Sequence, residues 1–174
     1  MRELNVVLPA LLSELVNGSP DPSIGTFMLN RGDLGLLHAL DQLSADAAST
    51  TVTGGATIAA HTDHVRYGLE LLNRWAGGET SPWKTADWTA SWRKQVVTDD
   101  EWRQLRGDLR REARDWHRNL GTIGGLSETA MKWVAGSVAH LAYHMGAIRQ
   151  IDRATRGPTA EEERAVSLAS PHQD

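Results

Sequence analysis

Every apolar segment of this chain repeats at helical spacing and none alternates, so the sequence predicts an all-α fold. Leu4, Val7, Leu8, Leu11, Leu12 and Leu15 predict a helix over residues 2–16, stopped by Asn17-Gly18. Pro9 lies inside that pattern, so the helix either kinks there or begins there. Ser19 to Ser23 reads as a loop, and Leu34, Leu37, Leu40 and Leu43 predict a second helix over 33–43. Ile58, Val65, Leu69 and Leu72 predict a third over 57–76, closed by Gly77-Gly78. Thr98-Asp-Asp-Glu101 resembles a capping box and opens a helix that runs to about residue 120. The last helix is predicted over 127–155, with Gly157-Pro158 as its terminator. The whole reads as one antiparallel helical bundle over residues 1–156, followed by an acidic, flexible tail over 157–174.

Composition removes several function classes. The 174 residues suit one domain with a real core. A net charge of −4 lacks the basic footprint that nucleic-acid binding needs. No cysteine is present, which rules out disulfides, thiolate metal ligands and a cysteine nucleophile. No stretch approaches the roughly 20 apolar residues of a membrane span, and no secretory leader is visible, so a cytoplasmic protein is expected. Seven tryptophans stand beside one phenylalanine and two tyrosines. Three of them, with Pro82, crowd the aperiodic stretch from Glu79 to Val97. They are expected to fasten that connection onto the bundle by short helical turns rather than to wall a pocket.

Chemistry is suggested by the histidines. His140 and His144 are four residues apart, hence on one face of the last helix, where two imidazoles can address one metal ion. Val134, Val138, Leu141, Met145 and Ile148 surround them, so part of that face is buried. Buried imidazoles cost free energy unless their nitrogens are bonded. His61 and His64 sit at a same-face spacing on the third helix and offer a further ligand. His38 is expected to face solvent. Three neutral imidazoles with a coordination position left open are the pattern of a reactive metal site, not a closed structural one.

Two segments carry a resemblance to a known family. Thr57-Ile-Ala-Ala-His-Thr-Asp-His64-Val is similar to the threonine-isoleucine helix of the DinB-like (DinB/YfiT-like) metal-binding four-helix bundles. Ala139-His-Leu-Ala-Tyr-His-Met-Gly-Ala-Ile-Arg-Gln150 resembles that family's second helix, in which a histidine pair precedes a glycine, an isoleucine and a glutamine. The resemblance extends from about Leu34 to Arg153. It implies a DinB-like antiparallel four-helix bundle with additional short helices, and a divalent ion held by His64, His140 and His144. His61 falls on a usually hydrophobic position, which leaves it as a group behind the ligands, a fourth ligand or a mere neighbour. Gly146 is expected to admit a neighbouring helix, and Gln150 to act as a structural hydrogen-bonder.

Some proteins that resemble this family are thiol-dependent transferases, so a metal-dependent (thiol) transferase acting on a small substrate is one reading. A non-enzymatic metal- or ligand-binding stress-type protein is a second, and a metal-free helical interaction module a third. Imidazole ligands suit zinc, nickel and iron alike, with copper also compatible, and a low-molecular-weight thiol is the cofactor the resemblance suggests. Metal affinity is expected to drop as pH falls through the region near 6. The resemblance and the tryptophan excess together suggest a homodimer, with no nucleic-acid or membrane partner.

Overall fold

A computed structural model of the protein describes residues 3–19, 26–52, 54–159, 161, 162, 164 and 165. Among these there are six α-helices and no strand: α1 (Leu4–Asn17), α2 (Gly35–Asp41), α3 (Ala45–Ala48), α4 (Ile58–Ala76), α5 (Asp99–Thr122) and α6 (Glu128–Ile151). The four long helices pack in a ring in which α5 touches α1 and α4, and α6 touches the same two from the other side. Consecutive in sequence, α5 and α6 therefore lie diagonally. Residues 123–127 join them across the end of the bundle, where the Asn5 side chain donates to the Ile123 carbonyl at 2.8 Å. No helix among the described residues is long and apolar enough to cross a membrane.

Start signals in the sequence correspond to real caps. The hydroxyls of Thr57, Thr98 and Ser127 accept the backbone N–H three residues on, opening α4, α5 and α6. At α5 the box is complete, since the Glu101 carboxylate also accepts the Thr98 N–H at 2.8 Å. Thr98→Ala is expected to cost about 1 kcal/mol. A urea unfolding curve should show a lower midpoint at unchanged slope.

Local departures from the predicted spans each have a cause. Pro9 neither starts nor ends α1, which runs through it; the ring removes one hydrogen bond while the buried face of Leu12, Leu15 and Val16 holds the helix in place. The second predicted helix ends early, at Asp41. A short helix, α3, follows because the Ser44 hydroxyl accepts the Ala47 N–H and starts a new turn. The last helix stops at Ile151 rather than near 155. Asp152 leaves the helical region and its carboxylate caps a 3₁₀ turn, Arg153–Thr155, by accepting the Ala154 N–H. Beyond that turn Gly157 lies against the buried Asp33 carboxylate with no room for a Cβ, and the Asn30 side chain donates to the Pro158 carbonyl. Residues 20–23 of the predicted loop, residues 24 and 25, and residues 166–174 of the predicted tail lie outside the described residues.

The core is aliphatic with two tryptophans in it. Trp102 and Trp116 are fully buried, and each ring N–H has a partner: the Leu43 carbonyl for Trp102 and the Ser137 hydroxyl for Trp116, both at 2.9 Å. The second of these bonds ties α5 to α6 across the diagonal of the ring. Asp33, 3% exposed, is bound twice by Arg149 of α6 at 2.9 and 2.7 Å and anchors the start of α2 to the end of α6.

Candidate metal centre

The first turns of α4 and the C-terminal half of α6 face each other and bring four histidines together. His64 Nε2 lies 3.2 Å from His140 Nε2, and His144 Nε2 lies 2.9 Å from the same atom. One nitrogen from each of His64, His140 and His144 falls within 4.8 Å of the others, a group that could hold a metal ion. Ion–nitrogen bonds of about 2.0–2.1 Å at a tetrahedral angle put ring nitrogens about 3.3 Å apart. The observed separations are within a few tenths of an ångström of that.

The protons sharpen the fit. Ser91 donates its hydroxyl to the Trp88 carbonyl at 2.7 Å, so its oxygen is left to accept from His64 Nδ1 at 2.8 Å. Neutral His64 then has no proton on Nε2. His61 Nδ1 is 2.9 Å from His144 Nδ1. With His144 donating in that contact, its Nε2 is bare as well. His140 Nε2 has a single position for a proton and faces two lone pairs, so one proton cannot satisfy both contacts. A cation among the three does.

Electrostatics keep these rings neutral. Burial pushes His144 down to about 3, and the neighbouring His140, His64 and His61 add to the shift. Burial likewise pushes His64 to about 4, aided by His140 and His61 and opposed by the nearby Asp63 carboxylate. His140 and His61 are lowered by burial. Asp63 is itself engaged, accepting from Arg66 at 2.7 Å, while Arg66 also donates to Glu70 at 2.6 Å. Neutral imidazole is the form that binds metal.

Sequence reasoning located all four rings but missed their support. Ser91 comes from the connection, in a 3₁₀ turn over Ala90–Trp92, and is buried beneath the site. Trp92 stacks on His64 with ring centres 4.1 Å apart and meets His61 edge-on at 5.3 Å. Trp88 approaches His64 at 5.6 Å. The tryptophans of the connection thus both fasten it and wall the site. Trp83 clusters with Trp75 and Trp133 and fastens the connection to the bundle. Trp88 and Trp92 wall the site. The only available cue was the crowding of Trp88-Thr-Ala-Ser-Trp92 itself, which carries no period.

Three further residues singled out in the sequence fall outside the centre. His38 is exposed, as expected. Gly146 is exposed and, among the described residues, no atom outside its own helix lies within 4 Å of where a side chain would begin, so no described helix closes on it, contrary to expectation. Gln150 is exposed and its side-chain oxygen accepts from Arg156 at 3.4 Å. Comparison with known families, curated proteins and solved structures finds no match to this chain.

Proposed function

We propose that His64, His140 and His144 hold one divalent ion through their Nε2 atoms, and that the chain is a DinB-like four-helix bundle acting on a small substrate. The observation that carries this reading is the convergence of three neutral rings on one point, with two of them fixed from behind. Ser91 sets the tautomer and tilt of His64. His61 does the same for His144, which makes it a partner behind the ligands rather than a ligand. Zinc, nickel and iron all suit a set of three imidazoles.

When bound, such an ion supplies Lewis acidity to water or to a substrate thiol. The chain's own part is to hold three imidazoles neutral and fixed, and to seat the site beneath Trp92 and Trp88. With no cysteine in the protein, no side-chain thiolate competes with a thiol substrate. Thiol-dependent group transfer is therefore the activity to test. Elemental analysis of untagged protein should find about one divalent ion per chain. None would overturn the reading. Turnover of low-molecular-weight thiols with electrophilic acceptors then separates an enzyme from a binding protein. A homodimer belongs to the same reading and should sediment as such at about tens of micromolar.

Acid resistance is a distinguishing consequence. A histidine whose pKa is depressed in the folded site stays neutral below 6.5, where a free one takes up a proton. With His64 near 4, His144 near 3 and His140 lowered as well, metal retention should persist below the range near 6 in which free histidine takes up protons and be lost as pH passes through about 4. Dialysis at stepped pH followed by metal analysis reads this. Loss centred near 6, the value free histidine suggests, would mean that the rings are not held as described.

A further inference from the structure

Beside the histidine cluster a cleft of about 390 Å³ opens between α4 and α6, within the range of small-molecule sites. Three indoles wall it: Trp83 and Trp88 from the connection and Trp133 from α6. Gly68 of α4 and Gly136 of α6 leave it open along its floor. Lys132, Gly136 and His140 are four apart and form one stripe, with His140 at the inner end. His140 turns its Cε1–Nδ1 edge toward Gly68, 3.7 and 3.8 Å from where a Cβ there would lie.

That nitrogen is the exception in the cluster. Nδ1 of His64 has Ser91 and Nδ1 of His144 has His61, but no described residue bonds to Nδ1 of His140. Metal-bound histidines almost always give their second N–H to an acceptor. We infer that the cleft binds a flat, apolar carboxylate, its rings among the indoles and one of its oxygens accepting the His140 Nδ1–H. This inference rests on the metal reading, since an ion on Nε2 is what places the proton on Nδ1. The substrate class it names is an aromatic or polycyclic acid. The ligand completes the hydrogen bonding of the centre, which couples its binding to the metal.

Zinc-loaded, untagged protein titrated with naphthalene-2-carboxylate, followed by tryptophan fluorescence, tests this. Its isostere naphthalen-2-ylmethylammonium has the same rings and no acceptor. The carboxylate should bind at least tenfold more tightly than the ammonium. A side chain at Gly136 enters open space with no atom within 4 Å of its Cβ, so Gly136→Leu should fold normally and fill the cleft. It should weaken the carboxylate at least tenfold at unchanged zinc content. Lys132 also lines the cleft but is exposed and paired with Glu128 at 2.7 Å; Lys132→Gln should weaken the carboxylate less than Gly136→Leu does, and a loss of tenfold or more would place the carboxylate on that ammonium and overturn the inference. No binding, equal binding of the two probes, or binding that Gly136→Leu leaves intact would each overturn the inference. The last result would mean that the carboxylate binds outside the cleft. Protein that takes up no zinc, yet binds naphthalene-2-carboxylate in a Gly136→Leu-sensitive way, would sink the metal reading and support the cleft as the ligand site.

Discussion

His144→Ala and His140→Ala are each expected to leave the purified protein without detectable metal. Either change removes one of three ligands and leaves two, too few to hold a divalent ion against dilution and buffer. His64→Ala should do the same. His61→Ala and Ser91→Ala should behave differently, because these groups only orient the rings that His144 and His64 present. Loss of such a partner typically lowers affinity about 10–100-fold. Competition with a chelator of known affinity, run across the five variants, separates the two groups. Full occupancy in His64→Ala together with loss in His61→Ala would show that the α4 ligand has been misassigned. Unchanged metal content in all of them would end the metal hypothesis.

Trp116→Ala is expected to destabilise the protein by about 3–5 kcal/mol, the usual cost of emptying a large core site. The side chain is fully buried, and its ring N–H reaches Ser137 across the diagonal between α5 and α6. Domains of this size are stable by only about 5–15 kcal/mol, so the change removes a large share of the total. Trp116→Phe keeps most of the packing. Ser137 still donates to the Val134 carbonyl at 2.7 Å, so its hydroxyl is not orphaned and the cost should be much smaller. Urea unfolding of both variants is the measurement. A Trp116→Ala effect below about 1 kcal/mol would show that the diagonal contact is not part of the cooperative core.

The long helices were legible because their burial has a period. Leu105, Leu109 and Trp116 recur on one face of α5, and Thr98 and Glu101 mark its start as plainly in sequence as in space. The histidine pair of α6 was legible for the same reason, since residues four apart on a helix must meet. What the sequence hid was non-periodic. Ser44 starts α3 inside a run of small polar residues where any of several could have capped. Asp152 ends α6 by a local side-chain bond that competes with the helix, and this outweighed the Gly157-Pro158 signal downstream. Ser91 meets His64 from 27 residues away, out of the aperiodic connection that follows α4, and no spacing rule reaches that far. Gly146 was interpreted through resemblance rather than through its surroundings, and there the expectation failed.

The connection between α4 and α5 is pinned to α4 at three points. Gln95 takes the N–H and hydroxyl of Thr57, Tyr67 accepts the Asp87 N–H, and Ser91 accepts from His64. The third of these passes through a ring assigned to the ion, so occupancy of the centre and seating of the connection share one free energy. By reciprocity, whatever factor the seated connection adds to metal affinity, the metal adds to the probability that the connection is seated. Backbone amides from Asp87 to Gln95 should therefore exchange more slowly in loaded than in stripped protein, while those at the middle of α5 barely respond. The nineteen residues from Glu79 to Val97 would then act as the clasp whose opening sets how fast metal leaves.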